Sequence, residues 1–168
     1  MTRLTPPTAD PTAALARFAA TAPADVSYAF VDSPVGTMIA AEISPRVLLA
    51  PAKLDRVRRE LDEYFAGTRQ DFDLELDLTL ARPFARKILA ATARIPFGST
   101  STYGEIAAEA GSPGAARAAG GALGSNPIPI VVPCHRVLAR NGTLHGYTGG
   151  LHRKQQLLEL EGVRTLGM

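Results

Sequence analysis

The stretch Ser101-Thr102-Tyr103-Gly104-Glu105-Ile106-Ala107-Ala108-Glu109-Ala110-Gly111-Ser112-Pro113-Gly114-Ala115-Ala116-Arg117-Ala118-Ala119-Gly120-Gly121-Ala122-Leu123 reads as two short helices joined by a four-residue turn. Ser101 or Thr102 stands at a cap position and Glu105 follows at capping-box spacing, so a helix is expected over Tyr103–Ala110. Gly111-Ser112-Pro113-Gly114 then turns the chain. A second helix over Ala115–Leu123 completes the order of a helix-turn-helix. That second helix is nearly bare of side chains except for Arg117. Each glycine costs about 1 kcal/mol relative to alanine in a helix, so the smooth surface implies close approach to something. A minor groove would admit such a helix with Arg117 as a lone probe, whereas tight helix packing with an exposed arginine is the plainer alternative.

Downstream lies the apolar run Ile128-Pro129-Ile130-Val131-Val132, then Pro133-Cys134-His135-Arg136-Val137, which sets the chain's single cysteine against a histidine. The run predicts a short buried strand that stops at Pro133. A lone cysteine more often packs as a small hydrophobe. An ordinary thiol is only about 3% thiolate at pH 7, so a neighbouring base changes the supply of nucleophile. In a continuing strand Cys134 and His135 would face opposite ways, and their cooperation requires a turn or a bridging water.

Upstream, Pro83 to Ile95 predicts a helix with Phe84, Ile88 and Leu89 on one face. Ser27–Val31 and Thr37–Ala41, joined by Asp32–Gly36, predict a β-hairpin. Leu54–Phe65 has helical periodicity, and Phe72, Leu74, Leu76 and Leu78 alternate with acidic residues as a half-buried strand would. Residues 1–25, rich in Ala, Thr and Pro, are expected to be a mobile or loosely docked extension. The fold class is therefore α+β. A small amino-terminal α/β scaffold with an antiparallel sheet, residues 26–78, precedes a mainly helical domain, residues 79–168, that carries the helix-turn-helix.

The 168 residues suffice for one sizeable domain or two small ones. One cysteine excludes an internal disulfide and a thiolate-rich zinc site, and the three histidines lack helical metal-ligand spacing, so no metal is expected. No apolar run approaches the roughly 18 residues of a membrane span, and the amino terminus lacks a secretory apolar core, so a cytoplasmic setting is expected with no membrane partner. Net charge is only +2, but residues 1–79 hold eight Lys/Arg against twelve Asp/Glu, while residues 80–168 hold ten against four. The basic half points to an anionic partner, with nucleic acid ahead of a merely solvated face.

Several spaced motifs resemble the O6-alkylguanine-DNA alkyltransferase family, the methylated-DNA–protein-cysteine methyltransferases. They are Ile95-Pro96-Phe97-Gly98, Thr102-Tyr103-Gly104, Ala115-Ala116-Arg117-Ala118, Asn126-Pro127, Pro133–Val137, Tyr147-Thr148-Gly149-Gly150 and Leu157–Gly162, in the family's order over about residues 80–163. The resemblance implies that Cys134 accepts the alkyl group from guanine O6, with His135 as base through a water and Glu161 orienting it. It implies that Asn126 ties the recognition helix to the cysteine turn. Tyr103 would donate to guanine N3, and Val137, Tyr147, Thr148 and Gly149 would line or close the base pocket. Arg117 would replace the extruded base, with Ala115, Ala116, Gly120 and Thr102 on the DNA face. No cofactor is implied; the partner is double-stranded DNA carrying O6-alkylguanine, and a monomer suffices.

The chemistry agrees with these residue types. An O6-alkyl group is buried in the duplex, so the base must be flipped out, at lowest cost where pairing is already damaged. A thioether has no easy leaving reaction and the chain has no second thiol, so one turnover per molecule is expected. The sequence leaves open O4-alkylthymine as a substrate and the ranking of alkyl adducts. It departs from the family in having no tryptophan before Ile95 and in Thr148, where a serine or another small residue is common. A lesion sensor without transfer and a cysteine hydrolase are the competing readings. Cys134 argues against the first, and Arg117 on its bare helix argues against the second.

Overall fold

The computed structural model describes residues 26–31, 33–36, 38–43, 51–79 and 81–164. The extension expected over residues 1–25 lies outside the described residues. The described residues fall into two compact units, one of residues 26–31, 38–43 and 51–58, the other of residues 33–36 and 59–164.

In the first unit, strands β1 (Val26–Val31) and β2 (Met38–Ile43) pair antiparallel, with Val26 opposite Ile43 and Val31 opposite Met38. Helix α1 (Pro51–Phe65) follows and runs on into the second unit.

The second unit contains α2 (Pro83–Thr92), β3 (Ser101–Thr102), α3 (Tyr103–Glu109), α4 (Ala116–Gly124), a 3₁₀ turn (Cys134–Arg136), β4 (Val137–Leu138) and α5 (Leu151–Leu160). Proline at the start of α2 lacks only an N–H that the first turn leaves unpaired anyway. The start of α3 is fixed by a reciprocal cap: Glu105 N–H donates to Thr102 Oγ1 at 3.2 Å and Thr102 N–H donates to a Glu105 carboxylate oxygen at 2.7 Å. Helix α4 has no side-chain cap and two internal glycines, so packing holds it. Its Ala119, Ala122 and Leu123 join Ile88 and Leu89 of α2 and Ile106 and Ala107 of α3 in one buried cluster. Each fully buried Ile or Leu there contributes about 1.5–3 kcal/mol.

Three sequence expectations change. Phe72, Leu74, Leu76 and Leu78 are half-buried and alternate with exposed acidic residues, yet the segment pairs with no strand among the described residues. Period-two alternation reports which way side chains face, not whether a partner exists. Here Asp73 N–H donates to a Glu60 carboxylate oxygen at 2.8 Å. The sheet of the second unit is instead the short pair β3–β4, and it is parallel, with Ser101 opposite Val137 and Thr102 opposite Leu138. The antiparallel arrangement expected of the sheet thus does not extend to it, because the chain returns through α3 and α4 before pairing, as a parallel connection requires.

The run Ile128–Val132 is also a turn rather than a strand. Val132 N–H donates to the Ile128 carbonyl at 2.9 Å, and Ile130 adopts φ 76°. A β-branched residue in the left-handed region costs on the order of 1–3 kcal/mol, and Pro129 has no N–H for a ladder. Burial of Ile130, 3% exposed, and the side chain of Asn126 hold the turn against that strain.

Candidate active site

The turn places Cys134 at the start of the 3₁₀ segment, so Cys134 and His135 follow a bend rather than alternating across a strand. Asn126, just past the end of α4, organises the approach. Its Nδ2 donates to the Val132 carbonyl at 2.9 Å and to Cys134 Sγ at 3.1 Å, while its Oδ1 accepts from Ile128 N–H at 3.0 Å. Burial pushes the Cys134 thiol above its ordinary value; the Asn126 hydrogen bond and the Lys154 charge oppose the shift without cancelling it. The resting sulfur is a thiol, and a base must take its proton.

His135 is fully buried and its Nε2 meets Glu161 Oε1 at 2.9 Å. Arg136 donates to both oxygens of the same carboxylate, from Nε at 2.8 Å and Nη2 at 2.9 Å, and its Nη1 donates to the Ile95 carbonyl at 2.6 Å. Tyr64 adds a fourth donor, its hydroxyl at 2.7 Å from Oε1. Burial alone would raise the Glu161 pKa, but the hydrogen bonds from His135, Arg136 and Tyr64 outweigh it and bring it down to about 2. An ionised carboxylate only accepts, so Nε2 of His135 carries the proton facing it. Burial lowers the His135 pKa, with Glu161 partly offsetting, so the ring is neutral at pH 7. Its other nitrogen, Nδ1, is buried without a hydrogen-bond partner among the described residues and keeps its lone pair.

The second group of side chains surrounds Tyr103. Its hydroxyl donates to the His145 carbonyl at 2.8 Å, and its ring would lie 3.7 Å from a Cβ placed on Gly120. Thr148 Oγ1 donates to the Gly124 carbonyl at 2.8 Å, tying the loop His145–Gly150 to the end of α4. A Cβ on Gly149 would come within 2.8 Å of the Tyr147 ring, which is why the position is glycine. Arg153 steadies the same loop, donating to the Gly149 carbonyl at 2.9 Å and to the Val35 carbonyl at 2.6 Å. Val137 is fully buried.

The structure therefore bonds Asn126 to Cys134 and, at the next residue, His135 to Glu161, and it sets Tyr103, Thr148 and Gly149 around the His145–Gly150 loop. Ala115 and Ala116 are half-buried at the start of α4, Arg117 is exposed beside them, and Thr102 is occupied in capping α3. None of these four is hydrogen-bonded to the cysteine turn among the described residues. No group of three or more potential metal ligands occurs among the described residues.

Comparison with known proteins decides the family. The model of the 6-O-methylguanine DNA methyltransferase DNA-binding domain matches residues 83–163. A methylated-DNA–protein-cysteine methyltransferase of Mycolicibacterium paratuberculosis is 45% identical over 154 residues, covering 81% of this chain and 92% of that protein. The chain belongs to the methylated-DNA–protein-cysteine methyltransferase family. A methyltransferase of the same name from Salmonella typhimurium is 52% identical over 103 residues, 61% of this chain and 60% of its own length. The crystal structure of Mycobacterium tuberculosis OGT in complex with DNA matches with a TM-score of 0.72 at 41% identity, covering 80% of this chain and 92% of that one.

Three residues around the cysteine turn escape a reading of the sequence for function. Tyr64 reads as part of the apolar face of α1, and its partner lies 97 positions away. Arg136 sits inside the cysteine motif but carries no local sign that its guanidinium turns inward; at 4% exposure it is a core residue. Lys154 is fully buried on α5, its Nζ donating to the Val137 carbonyl at 2.6 Å and the His145 carbonyl at 3.0 Å. Burial brings its pKa down to about 8 despite the opposing pull of Cys134, so it remains an ammonium at neutral pH.

Proposed function

We propose that the chain repairs double-stranded DNA by moving an alkyl group irreversibly from guanine O6 to Sγ of Cys134, once per molecule. The observation that carries this reading is the protonation order of the buried site: an ionised Glu161 fixes the proton of His135 on Nε2 and leaves Nδ1 free to accept another. The thiol proton passes through a water to Nδ1, and the imidazolium so formed is stabilised by Glu161. The thiolate attacks the alkyl carbon; the S–C bond forms as the C–O6 bond breaks, and the electron pair leaves on guanine. The departing base takes up a proton, for which the imidazolium is the source.

Tyr103 serves as the hydrogen-bond donor to guanine N3. Burial and the nearby Cys134 raise its pKa, so it stays a phenol and donates without ionising. Tyr147, Thr148 and Gly149, with the buried Val137 behind them, form the pocket for the flipped base. The helix-turn-helix of α3 and α4 supplies the DNA face: Thr102, Ala115, Ala116 and Gly120 allow close approach, and Arg117 fills the space the base vacates. A single reactive thiol suits a reducing, cytoplasmic setting, and a one-to-one reaction needs no second copy of the chain.

Incubation with duplex DNA containing O6-methylguanine, followed by peptide mass spectrometry, tests the proposal. The Cys134 peptide should gain the mass of one CH₂ per molecule and no more, with guanine restored in the DNA. An unmodified Cys134 beside a persisting lesion sinks the reading, and repeated turnover of an activated ester would favour the hydrolase.

A further inference from the structure

Lys154 is 0% exposed, yet it meets no carboxylate among the described residues: its ammonium bonds two backbone carbonyls and lies 6.0 Å above the Tyr103 ring centre. A buried charge is retained only where its N–H bonds are satisfied, so the carbonyls and the ring explain why it is tolerated there. What they join is more informative. Val137 is the first residue after the turn that holds Cys134, and His145 begins the loop that runs to Gly149. The His145 carbonyl is shared, because the Tyr103 hydroxyl donates to it at 2.8 Å as Lys154 does at 3.0 Å.

Tyr103 cannot hold that carbonyl and also donate to a base. If Tyr103 alone held it, turning the phenol to substrate would give the exposed His145 carbonyl up to water and cost the loop its tie at that residue, leaving only the Thr148 and Arg153 bonds. With Lys154 present, the carbonyl stays bonded when the phenol leaves.

We propose that Lys154 is a positioning residue for the transfer: by holding the Val137 and His145 carbonyls on one ammonium, it fixes the separation between Cys134 and the Tyr103 phenol and frees that phenol to donate to the flipped guanine. The inference rests on the transfer reading above. A misplacement of about 1 Å costs on the order of 10²-fold in rate, which sets the scale of the expected effect.

A double-mutant cycle on the full chain tests it, with single-turnover transfer from O6-methylguanine duplex as the readout. Lys154→Met, which keeps the apolar stem and removes the donors, should slow transfer on the order of 10²-fold. In a Tyr103→Phe background the same substitution should cost less than about threefold, because Lys154 acts through the phenol. If Lys154→Met does not fold, as judged by circular dichroism, Lys154→Gln retains two N–H donors on a shorter, uncharged side chain and the same cycle applies to it. Losses that multiply in the double variant, or a Lys154 variant that transfers at the wild-type rate, overturn the proposal. Failure of wild-type protein to take up methyl would instead overturn the transfer reading itself.

Discussion

The Tyr64 hydroxyl donates to Glu161 Oε1 at 2.7 Å, joining α1 to the carboxy-terminal end of α5. The same oxygen meets His135 Nε2 at 2.9 Å and accepts from Arg136 Nη2 at 2.9 Å, while Oε2 takes Arg136 Nε. Four donors on one carboxylate leave it little freedom to swing, so the histidine ring it orients is held equally firmly. Burial and the adjacent carboxylate raise the Tyr64 pKa far above its ordinary value, which keeps the hydroxyl a donor.

Tyr64→Phe should therefore weaken the fold more than it weakens the chemistry. A hydrogen bond to a charged group contributes about 1.5–3 kcal/mol, and urea unfolding should show a loss of that size. Transfer should slow only several-fold, since the His135–Glu161 contact persists. Stability equal to wild type would mean that the hydroxyl is dispensable.

Glu161→Gln should be far more damaging. It strips the counter-charge from Arg136, whose guanidinium is buried, and breaking a buried pair costs about 3–5 kcal/mol. It also removes the charge that stabilises a protonated His135, so the folded fraction should transfer methyl on the order of 10²-fold more slowly. Denaturant unfolding and single-turnover kinetics on the same preparation separate the two losses.

The sequence disclosed the parts of this site that are local and concealed those that are not. The capping box of Thr102 and Glu105, the turn before Ala115 and the adjacency of Cys134 and His135 all lie within a few residues, and pattern suffices to see them. Glu161 entered through family resemblance, because nothing in its neighbourhood marks it as the partner of His135. Tyr64, Arg136 and Lys154 have polar ends that turn inward to partners 9 to 97 positions away, and their composition alone looks like an apolar face or a basic surface. The run Ile128–Val132 misled for the opposite reason. Its β-branched residues favour a strand, but the tertiary tie from Asn126 overrides the preference and bends the chain at Ile130.

Acid should destabilise the protein in two overlapping steps. His135 has its pKa lowered by burial from the ordinary 6.5, so below that pH the unfolded chain binds a proton the folded one refuses, and stability falls as pH falls. Glu161 is held at about 2 against an ordinary 4.5; its contribution is complete above about 4.5 and is lost as pH drops towards 2. Thermal melts should show a midpoint that declines from about pH 6.5 downward and more steeply below about pH 4.5. In Glu161→Gln the steeper phase should shrink.

Gly149→Ala should disturb the pocket without unfolding the protein. The added Cβ would lie 2.8 Å from the Tyr147 ring, so the ring must turn away from its half-buried seat. Transfer from O6-methylguanine should slow, while the melting temperature stays within a few degrees of wild type, since ΔΔG of about 1 kcal/mol moves it only 2–4 °C in a chain of this size. An unchanged rate would place Tyr147 outside the base pocket.

Arg117→Ala separates flipping from chemistry. Arg117 is exposed on α4 and has no hydrogen bond to the cysteine turn among the described residues, so its removal leaves the Cys134–His135–Glu161 arrangement as it stands. A duplex substrate requires the base to leave the stack, at a cost of a few kcal/mol that an inserted side chain helps to offset. Free O6-alkylguanine requires no such step. The variant should therefore lose on the order of tenfold or more in transfer from duplex DNA, where 1.4 kcal/mol corresponds to tenfold, and react with the free base at the wild-type rate. Equal losses on the two substrates would show that Arg117 supports the pocket and not the extrusion, and the smooth surface of α4 would then need another explanation.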